Sequence, residues 1–175
     1  TRRIDMIEIA TTGNAQDFGD DSVDGRGEGN ASFASATRGI FAGGYSTGDG
    51  EVSNIAYLTI SSQGGVSDFG DLSSARRSNA GASNNVRGLS FGGHNGTDRV
   101  NTIEFVTIAT TGNGTIFGSL TEQVSNTGSG VSNGIRAFQM SGTDASGADS
   151  RIIHAVTIAT TGDASKFGEL ITKRN

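Results

Sequence analysis

An all-β fold assembled from four-stranded units of about fifty residues is what this sequence predicts. Three observations carry the prediction. One phrase occurs four times: IEIATTGNAQDFG at 7–19, LTISSQGGVSDFG at 58–70, VTIATTGNGTIFG at 106–118 and VTIATTGDASKFG at 156–168. The phenylalanines that close it, Phe18, Phe69, Phe117 and Phe167, stand 51, 48 and 50 residues apart. Glycine supplies 28 of the 175 residues while Pro, Cys and Trp are absent, and only 33% of the chain is apolar. Short β-branched runs punctuated by glycine suit short strands and tight turns, where positive φ is needed more often than large side chains.

The unit from about Asn79 to Leu120 displays all four strands. SNAGASNN (78–85) is small and polar, as expected of a strand crowded against its equivalents near an axis. VRGLSFGGH (86–94) is a short apolar strand ended by a glycine pair, and NGTDRVN (95–101) is a loop. TIEFVTIA (102–109) is the strongest strand, β-branched and aromatic with no breaker. TTGNG (110–114) turns the chain into a fourth strand, IFGSL (116–120). Four antiparallel strands per fifty residues is the make-up of a propeller blade. Residues 1–21 supply only a third and a fourth strand, whereas 29–72, 79–120 and 126–170 each supply all four. The whole chain is therefore expected to be a single propeller region of about three and a half blades. That number does not close, so the remainder is expected from a longer chain, or from a second copy paired head to tail into a seven-bladed ring. The start at Thr1 rather than Met favours the longer chain.

The third strand is apolar on both faces. Ile103 and Phe105 oppose Val106 and Ile108; Ile55 and Tyr57 oppose Leu58 and Ile60; Ile4 and Met6 oppose Ile7 and Ile9. A strand of this kind has to be covered twice, as a blade between two neighbours is. Each FG phenylalanine is expected to fill the gap between blades.

Composition also removes some functions. No cysteine means no disulfide, thiolate metal site or thiol nucleophile. With 13 basic against 18 acidic residues, net charge −5 and no basic block, a nucleic-acid footprint is not expected. No apolar run approaches the length of a membrane span, so no membrane insertion is expected.

The unit resembles a kelch repeat. The loop arginine is Arg76 or Arg77, the apolar strands ending in Gly-Gly are GIFAGG (39–44, with Gly43 and Gly44) and GLSFGG (88–93, with Gly92 and Gly93), and the strand aromatics are Tyr57 and Phe105. Phe69 and Phe117 stand where kelch repeats carry a Trp. The third unit departs, with FQMSG (138–142) keeping one glycine and Ala155 replacing the aromatic. More narrowly, the TIATTGNxxxFG phrase resembles kelch-like arrays in structural proteins of tailed, especially marine, bacteriophages. The resemblance implies a virion component such as a tail, fibre or capsid appendage. Its expected partners are other virion proteins or copies of itself, and a host-surface glycan or protein. Kelch folds also serve as cellular protein-interaction adaptors and as glycan-processing enzymes, so these readings stand beside it. No catalytic constellation emerges, and no cofactor or metal is expected.

Each candidate site residue also fits a structural role. Arg38, Arg87 and Arg136 recur 49 residues apart, each opening a second strand. They are expected to pair with a carboxylate or cap carbonyls within their own blade rather than to ring an anion site. The loops 45–54, 94–101 and 143–150 differ between copies while the strands agree. Tyr45, Arg76, Arg77, His94, Asp98 and Arg99 supply the aromatic and charged groups there that suit a sugar or a protein surface; solvated variable turns are the plainer explanation. Asp20, Asp21, Asp24 and Glu28 form an acidic cluster without the spacing of a calcium loop. His154, within a third strand, reads as structural; of the sequons at Asn30, Asn95 and Asn113, the latter two are Asn-Gly-Thr in turns.

Overall fold

The computed structural model describes residues 2–22, 29–125 and 129–173, which form strands and turns with no helix among them. The N-terminal hairpin pairs β1 (Arg3–Met6) with β2 (Gln16–Asp20). A four-stranded antiparallel sheet follows: β3 (Ala31–Ala34), β4 (Arg38–Ala42), β7 (Asn54–Thr59) and β8 (Ser67–Asp71), in that spatial order. Between its second and third members lies the small hairpin β5 (Tyr45–Ser46) and β6 (Gly50–Glu51). The second unit is β9 (Ala80–Ser83), β10 (Arg87–Phe91), β11 (Val100–Thr107) and β12 (Thr115–Ser125). The third is β13 (Ser129–Ser132), β14 (Arg136–Asp144), β15 (Asp149–Thr157) and β16 (Ser165–Glu169).

β12 is longer than its sequence suggests. LTEQVS (120–125) contains no breaker, so the strand runs on and pairs Val124 with Asp144 and Ser125 with Thr143 of β14. That contact merges the second and third units into one eight-stranded sheet. At the corresponding place between the first and second units the same pairing is reduced to a single bridge, Arg77 with His94.

The glycine pair that ends the second strand has a conformational reason. Gly92 (φ 58°) and Gly93 (φ 112°) both take positive φ, and Gly43 and Gly44 do the same. The turn delivers the Gly44 and Gly93 N–H groups to the carbonyls of Arg76 and Val124, at 2.8 Å each. In the third unit Ser141 is held at φ 59° in the place of Gly92.

Hydrophobic cores form between units rather than inside them. One cluster joins Phe33, Ile40, Ala42, Ile55, Phe69 and Leu72 of the first unit to Val106 and Ile108 of the second. The other joins Leu89, Phe91, Ile103 and Phe117 of the second unit to Val156 and Ile158 of the third. The two-faced third strand explains this, since Val106 and Ile108 point away from their own sheet toward the preceding one. The first strands meet almost without side chains: a Cβ on Gly81 would strike the backbone of Ser32, and one on Gly130 the backbone of Gly81. Serine hydroxyls tie the same strands together, Ser83 Oγ donating to the Ala34 carbonyl at 2.8 Å and Ser132 Oγ to the Ser83 carbonyl. The units follow one another as an open array, and among the described residues no strand of the N-terminal hairpin pairs with the third unit.

Candidate functional site

The repeat phrase is a clasp between successive units. The N–H of Gly64, Gly112 and Gly162 donates to the carbonyl of Phe18, Phe69 and Phe117, at 2.8, 2.7 and 2.8 Å. Two residues on, Val66, Gly114 and Ala164 donate to the carbonyls of Asp20, Asp71 and Ser119, at 3.0, 2.8 and 2.8 Å. Asn113 Oδ1 accepts from the Asp71 N–H (3.0 Å), and Asp163 Oδ1 from the Ser119 N–H (2.8 Å). The glycine of each FG pair is what lets the two backbones touch: a Cβ on Gly70 would sit 2.6 Å from the Gly112 carbonyl. Clefts of about 330 and 360 Å³ lie over this turn in the second and third units. They repeat with the scaffold and so are not a unique site.

Arg38 and Arg87 cap carbonyls, but those of the next unit rather than their own. Arg38 donates to Ile108 O at 2.9 Å, and Arg87 to Ile158 O and Ala159 O at 3.1 and 3.0 Å. Each guanidinium also lies 4.5 Å over an aromatic ring, Tyr57 or Phe105, which in turn meets Phe69 or Phe117 edge-on. In the third unit Ala155 leaves no ring on the third strand, and its cross-strand partner Phe138 supplies one instead. Phe138 packs edge-on against Phe167, and Arg136 lies over both. The FG phenylalanines differ sharply in exposure. Phe18, Phe69 and Phe117 are buried, whereas Phe167 is 56% exposed, because among the described residues no unit lies against that face.

Of the six residues expected on a binding face, five gather around the bridge between the first and second units. Arg77 and His94 exchange backbone hydrogen bonds of 2.9 and 2.8 Å, and His94 bridges on to Arg99. The Arg77 guanidinium sits 5.1 Å over the Tyr45 ring and bonds Glu51 at 3.1 Å. Glu51, paired with Tyr45 across the small hairpin, carried no signal in the sequence beyond its place in a variable loop. Asn95 folds the 94–99 loop by accepting from the N–H groups of Thr97 and Asp98, and His94 Nδ1 accepts from Gly96 N–H at 3.0 Å. Asp98 is exposed at the tip. The result is a half-buried patch of one tyrosine, two arginines, a histidine and a carboxylate. It has the donors and the aromatic face that a hydroxyl-rich or acidic surface requires.

Arg76 is the exception. It is 1% exposed and forms an ion pair with Glu104 of β11, equally buried. Ser73 completes the pocket, donating to Glu104 from both its N–H and its hydroxyl at 2.9 Å. Desolvation lowers the Arg76 pKa, and the Glu104 charge opposes that shift. Arg76 thus holds the joint and does not reach the loop surface. The corresponding place in the third unit holds His154, whose Nδ1 meets Gln139 Oε1 and whose Nε2 meets Thr121 Oγ1, both at 2.7 Å. Burial lowers its pKa to about 4.

The acidic cluster lies only partly within the described residues: Asp20 ends β2 and Asp21 follows it, while Asp24 and Glu28 fall outside them. Asp144 closes its own turn by accepting from Ser146 and Ala148, and the Ser146 hydroxyl first among these holds its carboxyl below the usual range. Among the described residues no three His, Asp or Glu side chains group as metal ligands, and no helix is long and apolar enough to cross a membrane. No protein-family model matches the chain, and no curated protein matches it.

Proposed function

We propose that this chain is a structural and interaction component of a tailed-phage virion, built as a kelch-like propeller segment of about three and a half blades. The observation that carries the reading is a contrast. Successive units are joined by the same backbone bonds, while the loops between second and third strands differ in their side chains. A scaffold of this kind holds variable loops in fixed places, which is the arrangement of a binding surface rather than of a single catalytic centre. Close packing of the first strands around Gly81 and Gly130 supports the propeller, since blades approach each other most nearly at their inner strands. The virion assignment rests on the likeness of the repeat phrase to phage arrays.

Tyr45, Arg77, His94 and Arg99 form the contact surface in this reading, and the partner is a host-surface glycan or protein. The test is adsorption of particles carrying Tyr45→Ala with Arg99→Ala to their host. A fall of at least about tenfold in adsorption rate, with unchanged thermal stability of the isolated chain, is the expected result. Unchanged adsorption would remove the contact role. Failure to find the chain's peptides in purified particles would remove the virion role.

A further inference from the structure

The two ends of the array carry the two halves of the clasp that joins the units inside it. We propose that this chain associates head to tail with a second copy of itself, the turn Thr11–Asn14 of one copy closing on Phe167–Gly168 of the other.

Each half is identified by comparison with the internal joints. Ile7 and Ile9 hold the positions of Val106 and Ile108, and Thr-Thr-Gly-Asn at 11–14 is identical to 110–113. Val106 and Ile108 are buried against the preceding unit, whereas Ile7 is 67% and Ile9 93% exposed. At the other end Phe167 is exposed where Phe117 is covered, and Arg136 lies over Phe138 and Phe167. The register of the internal joints then gives each contact between copies. Gly13 N–H donates to Phe167 O, Ala15 N–H to Glu169 O, and Glu169 N–H to Asn14 Oδ1. Arg136 takes the Ile9 carbonyl, as Arg38 and Arg87 take those of Ile108 and Ile158. Ile7 and Ile9 cover Phe167 and Phe138. The occupant is set by this identity of parts: three joints of the same design exist within the chain, and a fourth needs only residues the chain already has. Such a contact is heterologous, so it forms a ring if the rotation per unit closes and a filament if it does not. Two N-terminal hairpins, each a third and fourth strand, do not complete one another, so a pair of copies offers eight positions with two of them half-filled and not the seven full blades the strand count suggests. None of this depends on the virion reading, and its failure leaves that reading standing.

Gly168 makes a selective test. A Cβ there meets nothing within 4 Å in the single chain, yet at the equivalent Gly118 it would overlap the Gly162 carbonyl. Gly168→Val is therefore expected to fold normally and to be unable to dock. Sedimentation of the wild-type chain from about 1 to about 100 µM is expected to show concentration-dependent species at multiples of 17.8 kDa. Gly168→Val is expected to remain at 17.8 kDa with a melting temperature within about 2 °C of wild type. Because the chain has no cysteine, an Asn14→Cys/Glu169→Cys variant reports the contact directly and is expected to give covalent dimers on oxidation. A wild type that stays monomeric throughout overturns the proposal. So does an oligomer that survives Gly168→Val, or one in which the cysteine pair does not cross-link.

Discussion

The joint between the first and second units and the joint between the second and third share one clasp but differ in what fills the space behind it. At the first, the third-strand residue Glu104 is buried with Arg76 and Ser73; at the second, His154 takes that position with Gln139 and Thr121. Ser73 and Thr121 are counterparts, each three residues beyond its FG glycine, so one hydroxyl serves both joints. One joint thus buries a pair of charges and the other a neutral network. Gln139 Nε2 donates to Ser141 O at 2.5 Å, which orients its amide oxygen toward His154. The imidazole consequently carries its proton on Nδ1 and accepts the Thr121 hydroxyl at Nε2. The lesson is that backbone contact fixes the joint, while the polar plug behind it is free to change as long as every buried group has a partner.

The strongest way to break the comparison is to attack what the joints share. Gly118→Val places a side chain against the Gly162 carbonyl and is expected to cost more than about 4 kcal/mol in urea unfolding. A loss below about 1 kcal/mol would mean that the clasp does not hold the units together. Next come the parts that differ. Arg76→Ala leaves Glu104 buried without its counter-charge and is expected to cost about 3–5 kcal/mol, whereas Arg76→Met with Glu104→Leu recovers most of that loss. Equal losses in the single and double variants would show that the side chains fill space and that their charges are incidental.

The smallest effect belongs to the second joint and depends on pH. His154 has a folded pKa of about 4 against an ordinary value of 6.5, so the unfolded chain binds the proton more tightly. Stability is therefore full above pH 6.5 and declines as pH falls toward 4, by on the order of 3 kcal/mol for this group. His154→Asn should flatten that part of the profile, measured as melting temperature against pH. An unchanged slope would place the acid sensitivity elsewhere.

Much of the fold was legible because the phrase repeats with its spacing intact, and strands, turns and two-faced third strands all follow from it. What the sequence did not reveal was which unit each residue serves. Arg38 and Arg87 were expected to cap carbonyls in their own sheets, yet they reach across to the next, which only the packing direction of the third strand can decide. Arg76 and Arg77 are adjacent and identical in type, so nothing local distinguishes the buried one from the one that lies over Tyr45. Phe167 carries the same text as Phe117, and its exposure reflects that none of the described units packs on it. The exchange of the ring from strand three to strand two, with Ala155 opposite Phe138, is invisible until the strands are paired.

Placing the apolar clusters at the joints has a consequence for how such an array changes in length. Every unit brings one socket and one plug, so inserting a whole unit adds a joint of the kind already present and asks nothing new of its neighbours. A partial insertion, by contrast, leaves a socket facing the wrong surface. The grammar of the chain is thus written at its word boundaries, and growth or loss by complete units is the edit it tolerates most readily.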